Sequence, residues 1–222
     1  MIHDELLNWF DQNKRDLPWR KGRNPYRVWV SEIMLQQTQV KTVIPYYKKW
    51  IKKYPNLKAF KNSSFDEVLK MWEGLGYYSR CKNMYDASQL IKSSFPDNYN
   101  DLTQLPGIGD YTAKTILSIA FKKNFVGVDT NLERIGYRLL GLKSKTKRNQ
   151  NRVVRFLENN QSLERPGDYN EALMDLGSSL CKANVTQCNY CPLNKVCKAN
   201  QSTYPTSYPT PKVSKKLPIY NI

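Results

Sequence analysis

The chain has 222 residues, 40% of them hydrophobic, enough for a packed core and too many for a globally disordered polypeptide. Lys and Arg number 35 against 19 Asp and Glu, a formal charge of +16, and so unbalanced a chain repels itself unless a polyanion offsets it. Nucleic acid is the partner that suits this charge best. A membrane surface suits it less, because the basic residues are spread along the chain rather than gathered on one amphipathic segment. The single histidine, His3, stands at the N-terminus, which excludes chemistry built on a histidine base.

In chain order, Leu6, Leu7, Trp9 and Phe10 mark a first helix ending near Lys14, before the Leu17-Pro18 break. Pro25-Tyr26 leads a second helix toward Gln37. Val40, Val43, Ile44, Tyr47, Trp50 and Ile51 mark a third. Asp66 to Trp72 is a short helix stopped by Gly74 and Gly76. Residues from Ser79 to Ser94 form another, with Pro96 just beyond, and further helices are expected over Tyr111 to Phe121 and Leu132 to Leu140. Strand-like alternation is scarce and no phosphate-binding glycine fingerprint is present, so the fold class is all-α. MIHDELLNWFDQ lacks the basic and apolar regions of a signal peptide. No stretch approaches the roughly 20 apolar residues that span a bilayer. An intracellular protein of cytoplasm or nucleoid, with reduced thiols and no membrane partner, is expected. From residue 200 the composition turns to Pro, Ser, Thr and Lys, read as an extended tail or linker to residue 222. Cys81 reads as a buried core thiol.

Leu105-Pro106-Gly107-Ile108-Gly109 lies between two helices. Its glycines permit a tight turn with positive φ and leave backbone N–H groups uncovered beside a helix N-terminus, a ready phosphate site. An ordinary helix–helix turn has the same composition; the basic charge tips the balance toward phosphate. Twenty residues on, Asp129 follows an apolar run and precedes a helix, where aspartate serves well as an N-cap. Near the C-terminus, Cys181, Cys188, Cys191 and Cys197 are spaced C-x6-C-x2-C-x5-C. Four such thiols in a reducing compartment imply a metal, either zinc or iron–sulfur.

Leu-Pro-Gly-Ile-Gly with an aspartate about twenty residues later resembles the hairpin of the helix-hairpin-helix DNA glycosylases. The cysteine array, one close pair flanked by longer arms, resembles the 4Fe–4S loop of endonuclease III and its relatives rather than the two close pairs usual for zinc. LPWRKGRNPYRVWVSEIMLQQTQVKTVIPYY, WEGLGYYSRCKN and YNEALMDLGSSLC resemble the MutY-type adenine glycosylases more than other branches. This resemblance implies a base-excision repair enzyme acting on double-stranded DNA with a mismatched or damaged pair, and a 4Fe–4S cofactor on Cys181, Cys188, Cys191 and Cys197. It implies that Glu32 protonates the leaving base and handles the water, and that Asp129 stabilises the cationic sugar. Glu32 lies in the apolar run VWVSEIML, where desolvation favours its neutral acid. Tyr111 and Asn131 are expected to support the two carboxylates, and Arg20 and Glu171 to line the base pocket. Gln37 and Tyr77 would enter the duplex and Thr38 would contact the opposite guanine. Leu105, Gly107, Ile108 and Gly109 would hold the backbone. Tyr111 stands where strand-cleaving relatives carry lysine, and a phenol forms no Schiff base, so a monofunctional enzyme is expected; Lys114 is expected to face phosphates.

The expected architecture is a DNA-binding groove between two helical subdomains. A six-helix unit over 24–128 carries the hairpin, and residues 1–23 with 129–199 form the cluster unit; the molecule is expected to act as a monomer. The chain departs from the MutY-type pattern in two respects. It ends where those enzymes continue into a domain that recognises 8-oxoguanine, and Thr130 stands where they commonly carry glycine. Excision of adenine paired with guanine or 8-oxoguanine is favoured. Excision of thymine or uracil from mismatches with guanine is the alternative, and a silent damage-binding module is the alternative of another class. Retention of both Glu32 and Asp129 argues against the last, since binding alone needs no buried acid.

Overall fold

A computed structural model describes residues 1–211. Those residues form eleven α-helices: α1 Ile2–Asn13, α2 Pro25–Leu35, α3 Val40–Lys53, α4 Leu57–Lys61, α5 Phe65–Trp72, α6 Tyr78–Leu90, α7 Tyr99–Thr103, α8 Asp110–Ile119, α9 Thr130–Leu140, α10 Lys147–Asn159 and α11 Pro166–Ser179. An isolated antiparallel bridge, Cys181 to Thr186, is the one β pairing among them. The all-α expectation holds.

Local chemistry explains where these helices start and stop. Asn24 caps α2 by accepting the Arg27 N–H at 2.9 Å, with Pro25 in the first turn. Ser64 and Glu67 close a reciprocal capping box on α5. α6 ends at Leu90, short of the expected Ser94. The Lys61 ammonium captures the Ile91 carbonyl, and Ile91 turns extended and is buried.

Two cores organise the chain. The first is built on Trp29, Trp50, Phe60 and Trp72 and takes in residues from Leu17 to Ile119. The second joins Leu6 and Phe10 to residues from Val126 to Leu193, so the chain leaves this half after α1 and returns to it at Val126. Leu17 and Trp19, which the sequence suggested would join the second unit, pack in the first. That unit holds seven helices rather than the six expected; α4 and α7, five residues each, are too short to show periodicity. α2 packs on α3 and α8, and α8 packs in turn on α11, which also meets α1 and α9. α8 and α11 are therefore the seam. The tail expected from residue 200 is docked over its first part: Thr210 N–H donates to Lys143 O at 2.9 Å, and Arg138 Nε donates to Tyr208 O at 3.0 Å. The remainder of that tail lies outside the described residues. No helix among the described residues is long and apolar enough to cross a membrane.

Candidate active site

Glu32 projects from the middle of α2, where Ser31, Ile33 and Met34 are buried beside it, and is itself only 6% exposed. Burial pushes its carboxyl up to about 7; Asp129 and Glu171 push the same way, and the hydrogen bond to Tyr111 opposes them. Tyr111 stands on the first turn of α8. Burial, followed by the charges of Glu32 and Asp129, holds its phenol well above the usual range. Tyr111 is hydrogen-bonded to Glu32 and lies close enough to Asp129 to feel its charge, so the three side chains form one electrostatic unit. Asp129 does cap α9: Oδ1 accepts the N–H groups of Asn131 and Leu132, each at 2.8 Å, and Oδ2 accepts Asn131 Nδ2 at 2.8 Å. Capping and proximity to Glu32 coexist in one residue.

The approach to Asp129 is fixed from two sides. Asn170 of α11 accepts the Gly127 N–H at 2.9 Å and donates to Phe125 O at 2.9 Å. At Gly127 a Cβ would lie 2.3 Å from Thr115 Oγ1 and 3.1 Å from Tyr111 O, so only glycine lets this strand-like segment pass so close to α8. Arg134 extends the network, donating to Asn131 Oδ1 at 3.0 Å, Gly177 O at 2.9 Å and Cys181 O at 3.1 Å.

Beside Glu32 a small cleft is lined by Trp19, Arg20, Val28, Glu171 and Met174, among others. Arg20 and Glu171 thus meet where the sequence suggested a base pocket, with Nε and Oε1 3.3 Å apart. Arg20 also donates to both oxygens of Asp175, at 2.8 and 3.1 Å. Arg15 pairs with Asp175 at 2.6 Å, and Arg23 pairs with Asp168 and Glu171. Burial raises the Glu171 carboxyl despite Arg20 and Arg23. Sequence reasoning missed Arg15, Arg23, Asp168 and Asp175. The available signal was the spacing of Asp168, Glu171 and Asp175, one acidic stripe on a helix that, Asn170 apart, is otherwise mostly apolar or small.

Gln37 and Tyr77 are exposed, Tyr77 by 55%, and both adopt left-handed backbone, with φ of 55° and 49°. Thr38 is partly exposed, and its hydroxyl donates to Gln36 O at 3.3 Å. In the hairpin, Gly107 alone takes positive φ (78°), while Gly109 is extended, caps α8 and has open space where a Cβ would stand. Leu105 and Ile108 are buried, at 8% and 3%. Their side chains anchor the turn in the first core, so any contact they make with DNA falls to their backbone, as the expected phosphate site requires. Lys114 pairs with Asp110 at 3.1 Å rather than standing free. Because Gly109 opens the helix that carries Tyr111, the hairpin and the carboxylate unit share one rigid element.

Cys181, Cys188, Cys191 and Cys197 are free thiols lining one cavity of about 320 Å³, together with Arg138. Arg138 Nη1 lies 3.2 Å from Cys181 Sγ and 2.6 Å from Lys182 O. Burial pushes the Cys191 thiol up to about 12 and raises that of Cys197, so thiolates here would need a compensating cation. Among the described residues, no group of three or more His, Cys, Asp or Glu side chains is placed to hold a metal ion. Cys81 is fully buried in the first core, as expected, with its thiol pushed up to about 12.

Residues 30–158 match the HhH-GPD superfamily base excision DNA repair protein family, and the chain belongs to that superfamily. Within it, the chain is 40% identical over 220 residues to an adenine DNA glycosylase of Buchnera aphidicola subsp. Acyrthosiphon pisum (strain APS), covering 96% of this chain and 63% of that protein. It is 40% identical over 211 residues to the adenine DNA glycosylase of Rattus norvegicus, covering 88% of this chain and 41% of that one. The chain therefore spans well under the full length of these curated relatives. A thermostable thymine-DNA glycosylase structure superposes with a TM-score of 0.81 at 25% identity, covering 90% of this chain and 94% of that one. A non-covalent endonuclease III–DNA complex gives a TM-score of 0.74 at 23% identity over 90% and 93% of the chains, which bears out the fold.

Proposed function

We propose that this chain is a monofunctional DNA N-glycosylase that removes adenine paired with guanine or 8-oxoguanine in duplex DNA. The observation that carries the proposal is the coupling of Glu32, Tyr111 and Asp129 beside a cleft, with a Glu32 carboxyl that keeps its proton up to about 7. The adenine DNA glycosylases at 40% identity give the base.

Breaking a purine N-glycosidic bond needs a proton for the leaving base and negative charge near the sugar, where positive charge develops. Glu32 as the neutral acid donates its proton to a ring nitrogen of the base as the C–N bond pair moves onto the purine. Asp129, held by three donated hydrogen bonds, presents its carboxylate to the cationic sugar. Water then adds to the sugar carbon and gives its proton to the Glu32 carboxylate, which restores the acid. Tyr111, hydrogen-bonded to Glu32, supplies no amine, so the DNA backbone stays intact. The base reaches this pocket only out of the stack; Gln37 and Tyr77 enter the duplex and Thr38 faces the opposite guanine. The backbone of the Leu105–Gly109 hairpin takes a phosphate at the α8 N-terminus.

The four cysteines suit a 4Fe–4S cluster. Their C-x6-C-x2-C-x5-C spacing supports the reading, they line one cavity, and Arg138 donates to one of the sulfurs. The cluster would use all four thiolates, leave no open position and act structurally or in electron transfer. The protein acts as an intracellular monomer in this reading. Thymine excision is the second reading, favoured by the superposition with a thymine-DNA glycosylase.

End-labelled duplexes carrying A:8-oxoguanine, A:G, T:G and U:G, incubated with the protein and then alkali, test the proposal. Alkali-dependent cleavage at adenine is expected. Cleavage at thymine or uracil would give the second reading, strand scission without alkali would remove the monofunctional assignment, and uncut DNA bound tightly would leave a silent binding module.

A further inference from the structure

Arg80, on the first turn of α6, is only 9% exposed, and the chemistry above gives it no role. Its guanidinium lies at the C-terminal end of α2. Nη1 donates to Ile33 O at 2.9 Å, to Met34 O at 3.1 Å and to Gln36 O. Nη2 donates to Thr38 Oγ1 at 3.2 Å and to Gly76 O at 3.3 Å. The same group lies over the Tyr77 ring, 5.0 Å from its centroid, and 5.6 Å from that of Trp72, whose Nε1 donates to Gly76 O at 3.0 Å.

The carbonyls at the end of a helix lack donors within the helix and carry the negative end of its dipole. A buried guanidinium satisfies both needs at the end of α2. Here it also reaches a second loop: Gln37 lies between two residues it holds, Gln36 and Thr38, and Tyr77 follows the Gly76 carbonyl it holds. Both Gln37 and Tyr77 adopt left-handed backbone, a state that non-glycine residues keep only where their surroundings over-determine it.

We propose that Arg80 is a positioning residue that locks Gln37 and Tyr77 into a single preformed wedge, so that extrusion of the target nucleotide depends on it. The inference rests on the reading of Gln37 and Tyr77 as the residues that enter the duplex. A planar fork with several donors satisfies carbonyls from two loops at once, which an ammonium on a flexible stem does not. A wedge ordered before contact spares the complex the entropy of ordering two loops on binding.

The test uses the full chain in an Asp129→Asn background, where chemistry is blocked, and a duplex with 2-aminopurine at the target position opposite guanine. Arg80→Lys is expected to slow the fluorescence rise of extrusion about tenfold or more, while binding of undamaged duplex at low salt changes less than about twofold. In a chain that also carries Gln37→Ala and Tyr77→Ala, Arg80→Lys is expected to add less than about a further twofold, since it acts through those residues. Additive effects, or loss of non-specific binding in step with extrusion, would overturn the inference and leave Arg80 a purely structural residue. Unaltered extrusion by Gln37→Ala and Tyr77→Ala alone would remove the duplex-entry reading itself, and the inference with it. Hydrogen exchange on the protein with Arg80 intact gives a check that needs no Arg80 variant. The Thr38 amide, which donates to Leu35 O at 3.2 Å, is expected to exchange slowly before DNA is added and to change little afterwards. Fast exchange that collapses only on binding would contradict a preformed wedge.

Discussion

Around Trp50, the first half of the molecule is packed by aromatic rings: the centroids of Tyr54, Phe60 and Trp72 lie 5.1, 5.1 and 5.8 Å away, each edge to face. The second half is packed mainly by aliphatic side chains such as Leu132, Ile135, Val153, Leu157 and Leu173. Its final segment, past Leu180, is turns and cysteines. In the first half the large rings bring both buried area and directional contacts. The second also has the ion pairs from Arg15 and Arg20 to α11 and, in the proposed reading, a cluster held by its thiols. The carboxylate unit spans the two, with Glu32 and Tyr111 coming from the first half and Asp129 from the second. In the proposed reading the proton donor therefore comes from the aromatic half, and the anion is placed by the half whose folding would depend on its thiols being bound.

Four experiments break or sharpen that contrast. The largest effect is expected from Cys188→Ser, which should remove visible iron–sulfur absorbance and unfold the second half, since structural metal sites supply folding energy outright. Limited proteolysis should then cut past Val126 and spare residues of the first core; uniform resistance would contradict the conditional half. Asp129→Asn, which keeps the cap, should lower single-turnover excision at least about 10³-fold with duplex binding nearly unchanged. Trp50→Ala should cost about 3–5 kcal/mol in urea unfolding, as expected for a fully buried indole.

Glu32→Gln is expected to give the smallest shift in stability, and one of opposite sign. A carboxyl whose proton affinity rises on folding from 4.5 to about 7 stabilises the fold below its unfolded value, and that stability is lost as pH climbs through about 7. Replacing it should therefore raise stability by up to about 3 kcal/mol at pH 8 and by little at pH 4, as thermal melts at the two pH values would show.

Much of this site was legible because its residues contradict their local surroundings. Glu32 is a lone acid in an apolar run, Asp129 sits at a helix start twenty residues after a glycine turn, and the cysteines crowd together. What was not legible depends on tertiary placement. The sequence does not say that Leu105 and Ile108 turn their side chains inward, because an apolar residue in a tight turn reads equally well as anchor or as contact. Nor does it say that Leu17 and Trp19 cross to the first core. The partners of Asp175 lie 155 and 160 residues away, beyond any local pattern, although the acidic stripe on α11 announces that such partners must exist. α4 and α7 escape because one helical turn has no period to detect. The end of α6 escapes because a lysine thirty residues earlier in the chain caps it.

The most direct measurement is the pH dependence of single-turnover adenine excision from an A:8-oxoguanine duplex, run side by side for the protein and for Glu32→Gln. The rate constant should be level in acid and fall about tenfold per pH unit above about 7, as the Glu32 proton is lost, and the variant should be inactive throughout. A profile that stays level through pH 8, or a variant that still releases adenine, would contradict the assignment of Glu32 as the acid.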